Sequence, residues 1–251
     1  MIKVIGVYKS FGDKEVLKDI SAEFKPGITS LIIGASGSGK TTLLKCMVGL
    51  HEVTQGEIIY DDRDFTKMDF RERVPIRKEI GMLFQGSALF DSMSVEQNIM
   101  FPLNMFTAQS IAEKKDRVNF CLEKVNLPGI NNLLPSELSG GMKKRVGIAR
   151  AIAMNPRYLF CDEPNSGLDP KTSLIIDKLI YDITAEFNIT TIVVTHDMNS
   201  VMEIGDHLLF IHEGEKFWEG SNKDMLDSDN KELDAFIFAS KFMRALKNKK
   251  K

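Results

Sequence analysis

A glycine-rich segment at residues 34–41 has the residue types and spacing to bind phosphate. It matches the pattern GxxxxGK[ST] at every required position, follows an apolar run that predicts a buried strand, and precedes a predicted helix. Glycines let the backbone curl so that its N–H groups point at phosphate oxygens, and the helix N-terminus adds partial positive charge. A turn that matched by chance would lack these flanks. We therefore expect nucleotide contacts from Gly34, Ala35, Ser36, Gly37, Ser38, Gly39, Lys40, Thr41 and Thr42.

Two further positions predict phosphate chemistry rather than phosphate binding alone. Lys40 is expected to reach the β- and γ-phosphates, and the Thr41 hydroxyl to ligate Mg²⁺. Asp162 and Glu163 follow an apolar strand pattern, and such a strand ends at the ligand-facing edge of its sheet. Asp162 is then placed to hold Mg²⁺ through water, and Glu163 to polarise the water that attacks the γ-phosphate. Two acids at a strand end are usually only solvated, but beside a phosphate loop the catalytic interpretation is better.

A second anion-binding motif lies far along the chain from the first. Ser139, Gly140 and Gly141 stand at a predicted helix start, where free backbone N–H groups attract anions. These residues resemble the signature motif of ABC ATPases, in which the signature of one subunit closes over ATP held by the phosphate loop of the other. The resemblance implies a head-to-tail homodimer with two sandwiched ATP molecules and Mg²⁺ as cofactor.

The remaining motifs of that family follow in the family's order, and the resemblance extends from Val4 to about Gly220. Gln85 resembles the loop glutamine that contacts Mg²⁺ and communicates with the transporter. The run Ser166-Gly167-Leu168-Asp169 resembles the loop that touches the opposite subunit. The resemblance thus implies a separate membrane permease as a partner.

Two aromatic side chains gain a role only through this resemblance. His196 resembles the switch histidine that contacts the γ-phosphate, which makes it catalytic together with Lys40 and Glu163. Phe11 stands where the family places an aromatic ring to stack on adenine. A lone histidine is normally structural and an isolated phenylalanine normally belongs to a core, but the positions of both relative to the other motifs favour the functional interpretation.

Departures from the common family pattern indicate a subgroup. Met142 replaces the usual glutamine after the double glycine, and Asn165 replaces the threonine often found before the Ser-Gly-Leu-Asp run. Met142 and residues 84–103 resemble the ATPases of Mla/Mce-type transporters, which move phospholipids or other lipids between the inner membrane and the outer envelope of bacteria. That likeness implies an Mce-domain protein in the complex.

Residues 85–103 are expected to form the groove that receives the permease. Several apolar anchors typically dominate such an interface, and we expect them to be Leu89, Phe90, Met93 and Phe101. A competing interpretation is that these side chains only pack the helical region. Competing functions are an amino-acid importer, a lipoprotein extractor, a soluble ABC ATPase without a permease, and an inactive nucleotide-sensing scaffold.

The pattern of elements predicts an α/β fold. Strands at residues 3–8, 15–24 and 29–33 come before the first helix, at residues 40–48, and strand–helix alternation resumes at residue 158, which indicates a mostly parallel sheet covered on both faces. The resemblance implies a P-loop NTPase (RecA-like) core with an N-terminal antiparallel β part. We expect a nucleotide-binding domain at residues 1–220, with an inserted helical subdomain at about 86–154, and a helical extension with a basic tail at 221–251.

Bulk composition narrows the partners further. The 251 residues carry 33 Lys and Arg against 35 Asp and Glu, a net charge of -2, which argues against nucleic-acid binding. No apolar run approaches the ~20 residues that cross a bilayer, so we expect a cytoplasmic protein, and the resemblance implies a peripheral position on the cytoplasmic face of the inner membrane. Residues 231–246 predict an apolar helix that docks on its own core, on the other subunit or on a small regulatory protein.

Overall fold

The computed structural model describes residues 1–228 and 230–237. Its strands are β1 (Ile2–Phe11), β2 (Lys14–Phe24), β3 (Thr29–Ile33), β4 (Gln55–Tyr60), β5 (Arg63–Asp64), β6 (Ile80–Leu83), β7 (Tyr158–Asp162), β8 (Thr190–Val194), β9 (His207–His212) and β10 (Glu215–Gly220). Its helices are α1 (Lys40–Met47), α2 (Arg73–Lys78), α3 (Val95–Phe106), α4 (Ile111–Lys124), α5 (Gly140–Ile152), α6 (Pro170–Phe187), α7 (Met198–Ile204), α8 (Asn222–Leu226) and α9 (Lys231–Ile237).

The central sheet has six strands in the order β10-β9-β3-β8-β7-β6. Pairing is parallel from β9 to β6, and β10 adds to the edge antiparallel. Every residue of β3, β7 and β8 is buried, as expected for strands covered on both faces. Leu31 and Ile33 face one hydrophobic cluster and Ile32 faces the other. The predicted parallel core is thus confirmed.

A second sheet, in the order β2-β1-β4-β5, is wholly antiparallel and covers the α1 side of the molecule. Its inward residues Val4, Leu17 and Ile58 share a cluster with Leu43 and Leu44 of α1. This agrees with the antiparallel part that the family resemblance implies. The packing holds the phosphate loop between two sheets.

Helices α3, α4 and α5 occupy the region predicted as helical. Ser94 with Gln97, and Ser110 with Glu113, form capping boxes that begin α3 and α4, while the Ser139 side chain caps α5. Each cap satisfies backbone N–H groups that the first turn leaves unpaired. Residues 86–94 form a loop, and the first helix of the region predicted as helical begins at Val95.

The chain between residues 55 and 83 contains elements that the sequence pattern did not predict. They are the strands β4, β5 and β6 and the helix α2. Strand β5 has only two residues, and α2 has Pro75 inside its six, so neither presents a periodic pattern long enough to recognise.

The last described helix, α9, docks on its own chain. Leu233 and Ile237 are buried in the cluster that also contains Leu208 and Met225. Of the three docking surfaces expected for this helix, residues 231–237 therefore use the first, the core of their own chain. The predicted continuation at residues 238–246 and the basic tail lie outside the described residues.

The three cysteines, Cys46, Cys121 and Cys161, are buried and free. Burial raises the pKa of each thiol, to about 11 for Cys46 and Cys121 and to about 12 for Cys161. None of the helices within residues 1–228 and 230–237 combines the length and the apolar character that crossing a membrane requires.

Candidate active site

The phosphate loop connects the end of β3 to the first residue of α1, as predicted. Gly34 has φ +148°, and a Cβ there would lie 2.2 Å from the Ile211 carbonyl oxygen. Gly39 has φ +107°, and its Cβ would meet a Leu17 methyl at 2.8 Å. These two positions need glycine for space as well as for backbone freedom, so the loop packs closely between β2 and β9.

Lys40 stabilises the curl of this loop. Its buried ammonium donates to the carbonyl oxygens of Gly34, at 2.9 Å, and Ala35, at 2.8 Å. Burial lowers the pKa of Lys40, and the nearby carboxylates of Glu163 and Asp162 oppose that shift. The ammonium of Lys40 is thus desolvated and lies against the phosphate loop. From there it can donate to the oxygens of a bound phosphate instead of to the loop carbonyls.

The structure brings together Thr41 and Asp162, two of the residues predicted to bind magnesium. The Thr41 hydroxyl donates to Asp162 Oδ1 at 3.0 Å, across the sheet from α1 to the end of β7. Nearby in the loop, Ser38 Oγ is buried without a hydrogen-bond partner among the described residues. Hydroxyl and carboxylate oxygens are ligands that Mg²⁺ prefers, so both observations fit a magnesium ion bound at this point.

The described residues contain no cluster of three or more His, Cys, Asp or Glu that could hold a metal alone. A magnesium ion at Thr41 and Asp162 would therefore complete its shell with water and with phosphate oxygens, as Mg²⁺ commonly does. The residues present fit that arrangement.

Glu163 and His196 meet at the carboxyl ends of β7 and β8. Glu163 Oε1 lies 2.9 Å from His196 Nδ1. Glu163 has φ +48°, and its backbone N–H donates to the Val194 carbonyl at 2.9 Å. Left-handed backbone at a non-glycine residue is strained and concentrates at functional sites. The strain turns the carboxylate out of the strand direction and against the histidine.

Two side chains of helix α5 form hydrogen bonds with the loop that carries Gln85. The buried ammonium of Lys144 donates to the Gln85 carbonyl and, at 3.3 Å, to the Glu163 carbonyl, and burial lowers its pKa. Arg150 donates to the carbonyls of Ser87 and Ala88, both at 2.8 Å. Sequence reasoning did not assign these two cations, because their carbonyl partners in this loop lie 59 to 63 residues away along the chain.

The phosphate loop, Gln85, Glu163 and His196 face one cleft of about 620 Å³. Gln85 also donates from Nε2 to Ser166 Oγ at 3.3 Å. Two residues that the sequence did not suggest, Val16 and Phe236, contribute to the wall. The lining residues are Val16, Ala35, Ser36, Gly37, Gly39, Lys40, Thr41, Thr42, Gln85, Glu163, His196 and Phe236.

Gly34, Ser38 and Asp162 adjoin this lining without being part of it, and Phe11 and the signature residues also stand outside it. Phe11, at the end of β1, lies edge-on to His51 with ring centroids 5.2 Å apart and has Lys9 Nζ 4.7 Å above its ring. Ser139, Gly140 and Gly141 begin α5 and are absent from the cleft wall. The signature residues and the phosphate loop are thus separate surfaces of a single chain.

Residues 17–166 match the ABC transporter family. The chain belongs to the ABC transporter family. The match covers more than half of the chain and includes the phosphate loop, the signature and both carboxylates. This ABC ATPase binds ATP with Mg²⁺ and hydrolyses it, which is the chemistry that the cleft supports.

Curated relatives of this ABC ATPase serve different transporters. The Probable ribonucleotide transport ATP-binding protein mkl of Mycobacterium leprae is 36% identical over 94% of this chain and 68% of its own length. The Methionine import ATP-binding protein MetN of Clostridioides difficile is 40% identical over 94% and 74%. The Intermembrane phospholipid transport system ATP-binding protein MlaF of Haemophilus influenzae is 37% identical over 94% and 90%.

Solved structures of ABC cassettes share the fold. The dimeric structure of MJ0796, a bacterial ABC transporter cassette, superposes with a TM-score of 0.81 at 34% identity, covering 88% of this chain and 99% of that one. A dimeric post-hydrolysis state of the same cassette, bound to ADP and Pi, gives 0.80 at 33% identity, with the same coverage. The predicted ABC ATPase fold is confirmed.

Proposed function

We propose that this ABC ATPase energises lipid transport, most specifically phospholipid transport across a bacterial envelope, through a separate membrane permease. The observation that carries the proposal is an apolar groove beside the Gln85 loop, of the kind that receives a helix from a partner. The likeness of residues 84–103 to Mla/Mce-type ATPases, and the match to MlaF over 90% of its length, support lipid as the cargo class.

The groove has a volume of about 410 Å³ and a floor formed by β6. The rings of Phe90 and Phe101 lie 4.8 Å apart within it, and Phe84 and Phe90 are exposed. Exposed aromatic side chains around a concave surface are typical of an interaction site. Leu89 packs against the hydrophobic core and Met93 is not part of the lining, so Phe90 and Phe101 are the expected anchors that the groove contains.

Hydrogen bonds from helix α5 connect the groove to the active site, so movement of a partner helix in the groove would shift active-site loops. Arg150 lines the groove and also holds Ser87 and Ala88, which have φ of +62° and +47°. Lys144, on the same helix, holds Gln85 and Glu163. The permease contact and the catalytic carboxylate are therefore attached to one rigid helix, which supports coupling between transport and hydrolysis.

The chain's own groups divide the hydrolytic work. Lys40 neutralises charge that builds on the phosphates, Glu163 accepts a proton from the attacking water, and His196 holds that carboxylate in place. Thr41, Asp162 and Gln85 would hold Mg²⁺, which neutralises charge on the phosphate oxygens. Ser139, Gly140 and Gly141 of a second copy would close over the nucleotide in a head-to-tail homodimer.

Closure of that dimer would bias the permease, and hydrolysis would release the closing contacts. On this proposal the chain is a peripheral subunit on the cytoplasmic face of the inner membrane. An Mce-domain protein is a proposed member of the complex, and a small regulatory subunit or the other copy is a proposed partner of the C-terminal extension.

Replacement of Glu163 tests the catalytic part. Glu163→Gln keeps the size and hydrogen-bonding reach of the side chain but cannot accept the proton, so ATP binding should persist while the hydrolysis rate falls by about a hundredfold or more. Phosphate release measures the rate, and light scattering with ATP measures the dimer that should accumulate. An unimpaired hydrolysis rate in this variant would refute the role of Glu163.

Purification from native membranes tests the cargo. The tagged chain is captured in mild detergent, and mass spectrometry identifies proteins and lipids that accompany it. A permease, an Mce-domain protein and bound phospholipid are the expected result, and Phe90→Asp with Phe101→Asp should lose them while the isolated ATPase rate is kept. A methionine or other amino-acid permease would move the function to import, which the MetN relatives support. Recovery of no membrane protein would contradict the proposal.

A further inference from the structure

Asp177 is a buried acid that the proposed chemistry does not use. It lies in the middle of α6, with 1% of its surface exposed. An ionisable group in such a position is costly unless other groups donate hydrogen bonds to it. Its partners are therefore informative about why it is there.

The two donors to Asp177 come from the loop that follows Glu163 and from helix α7, which follows the loop of His196. Asn165 Nδ2 donates to Asp177 Oδ1 at 2.8 Å, and Ser200 Oγ donates to Asp177 Oδ2 at 2.9 Å. Asn165 Nδ2 also lies 2.9 Å from Ser200 Oγ, which closes a ring of three hydrogen bonds. Both partners are buried, Ser200 completely.

The positions of these donors in the chain connect them to the chemistry. Asn165 follows Glu163 by two residues and directly precedes the run from Ser166 to Asp169, and the Leu168 N–H donates to the Asn165 carbonyl at 3.1 Å. Ser200 follows His196 by four residues, in the first turns of α7. The ring thus joins the loop of the catalytic carboxylate to the loop of the histidine beside it.

We propose that Asp177 is a positioning residue that locks the Glu163 loop and the His196 loop together through Asn165 and Ser200. The carboxylate of Asp177 keeps both of its hydrogen bonds only when both loops are in place. A shift of one loop would therefore break the network that also positions the other loop. Contacts that Ser166-Gly167-Leu168-Asp169 makes with a partner would thereby reach the Glu163–His196 pair.

Asn165 itself supports a functional origin for this ring. The amide of Asn165 donates to both Asp177 and Ser200, which a side chain without an amide could not do. Asn165 Oδ1 is left buried without a partner among the described residues, which is unfavourable for stability. The arrangement is therefore not explained by packing alone.

The charge environment of Asp177 gives a distinctive signature. Burial raises its pKa to about 6, against the hydrogen bonds from Asn165 and Ser200, and Asp197 and Glu203 raise it further. The Asp177 carboxylate in turn contributes to the raised pKa of the Cys161 thiol in β7. Because the folded-state pKa lies above the ordinary value of 3.8, ionisation of this carboxyl destabilises the fold as the pH rises through about 6.

The first test is Asp177→Asn, assayed for hydrolysis, for the KM of MgATP and for thermal stability across pH 5.5–8. We expect kcat at pH 8 to fall by about tenfold through misplaced groups, with KM unchanged because Asp177 does not line the cleft, and a melting temperature equal to or above that of the unmodified chain. The ratio of the two kcat values should approach one below pH 6. A pH-independent ratio, or loss of kcat only in step with stability, would overturn the proposal.

A matched control is Thr184→Val on the same helix. Thr184 is equally buried and donates to the Ile180 carbonyl at 2.7 Å, while its hydroxyl lies 2.7 Å from Thr191 Oγ1, so it contacts neither loop. This variant should lose stability and keep kcat within about twofold, since surface and remote core changes seldom alter an active site. An equal loss of kcat in the control would contradict a specific role for Asp177.

The second test does not require any change at Asp177. Asn165→Thr, Ser200→Ala and the double variant form a cycle, and we expect the second substitution to have little further effect on kcat once the first is present. Independent effects that multiply would refute the coupling. The inference rests on the proposed roles of Glu163 and His196, and Glu163→Gln separates the two: hydrolysis retained there refutes those roles, whereas a multiplicative cycle refutes only the coupling.

Discussion

At the scale of single residues, the site depends on buried cations that donate to backbone carbonyls. Lys40 does so within the phosphate loop and Lys144 does so between the Gln85 loop and the Glu163 loop. A carbonyl deprived of such a donor in a dry environment loses its hydrogen bond without gaining water. These cations therefore set loop positions as well as charge.

Replacement of Lys144 by methionine should weaken both loops at once. The substitution keeps the aliphatic stem but leaves the Gln85 and Glu163 carbonyls without the ammonium, which should lower the free energy of unfolding by about 1–3 kcal/mol. Hydrolysis should also fall, because Glu163 is no longer held. Urea unfolding and phosphate release measure the two effects.

Lys143→Met is the control, since this half-buried neighbour on the same helix donates to neither carbonyl. The explanation fails if Lys143→Met lowers hydrolysis as much as Lys144→Met does.

A site residue can be predicted from the sequence when its interaction partners lie near it along the chain. The phosphate loop is contiguous, so its pattern and flanks predict its position and geometry. Lys144 contacts a carbonyl 59 residues away, and Asn165 binds Asp177 and Ser200 at separations of 12 and 35 residues. Nothing local in the sequence distinguishes these side chains from solvated ones, so only the folded chain assigns their partners.

At the scale of elements, the close packing of α5 on β6 brings the signature helix to the Gln85 loop. A Cβ on Gly81 would lie 2.3 Å from the Ala151 carbonyl oxygen, and one on Gly147 would lie 2.7 Å from a Leu83 methyl. The helix and the strand therefore touch nearly backbone to backbone. That distance is what allows Arg150 and Lys144 to reach the loop after β6.

Gly81→Ala should separate these two elements. The added methyl meets a backbone atom that cannot rotate away, so we expect a loss of about 1–3 kcal/mol in the free energy of unfolding, typical of overpacking. Nucleotide hydrolysis should fall as the cations of α5 move from their carbonyls. Urea unfolding and the steady-state ATPase rate test both effects.

Gly86→Ala provides the comparison, because a Cβ at that position meets nothing within 4 Å and the φ there is not positive. A stability for Gly81→Ala equal to that of Gly86→Ala would contradict the close-packing account.

The longer helices and the buried strands are the elements that the sequence pattern predicts. Apolar periodicity predicts α4, the serine before the double glycine predicts the start of α5, and buried apolar runs predict β3 and β8. The region of β4, β5, α2 and β6 escapes prediction because its elements are short and take their stability from neighbouring strands rather than from local pattern.

At the scale of the whole molecule, only one of the two anion-binding motifs faces the nucleotide cleft of a single chain. The phosphate loop lines the cleft, whereas Ser139, Gly140 and Gly141 do not. This placement supports the proposal that each chain contributes to two composite sites, the arrangement expected for a closed two-fold dimer.

Mixing two inactive variants tests this division. Lys40→Ala damages the phosphate loop, and Ser139→Arg blocks the signature with a bulky side chain, so each variant alone should hydrolyse little ATP. A heterodimer of the two carries one doubly damaged site and one intact site. The mixture should therefore recover hydrolysis, measured by phosphate release after co-refolding or co-expression, whereas a mixture without recovery would contradict composite sites.

The burial of the three thiols makes the unmodified chain a ready background for chemical labelling. A maleimide reacts with thiolates, and raised pKa values together with burial leave Cys46, Cys121 and Cys161 with little accessible thiolate at neutral pH. A cysteine introduced at exposed Lys178 would then carry a spectroscopic probe with little background. Opening and closing of two copies during turnover could be followed as a distance between two such probes, without first removing native residues from the core.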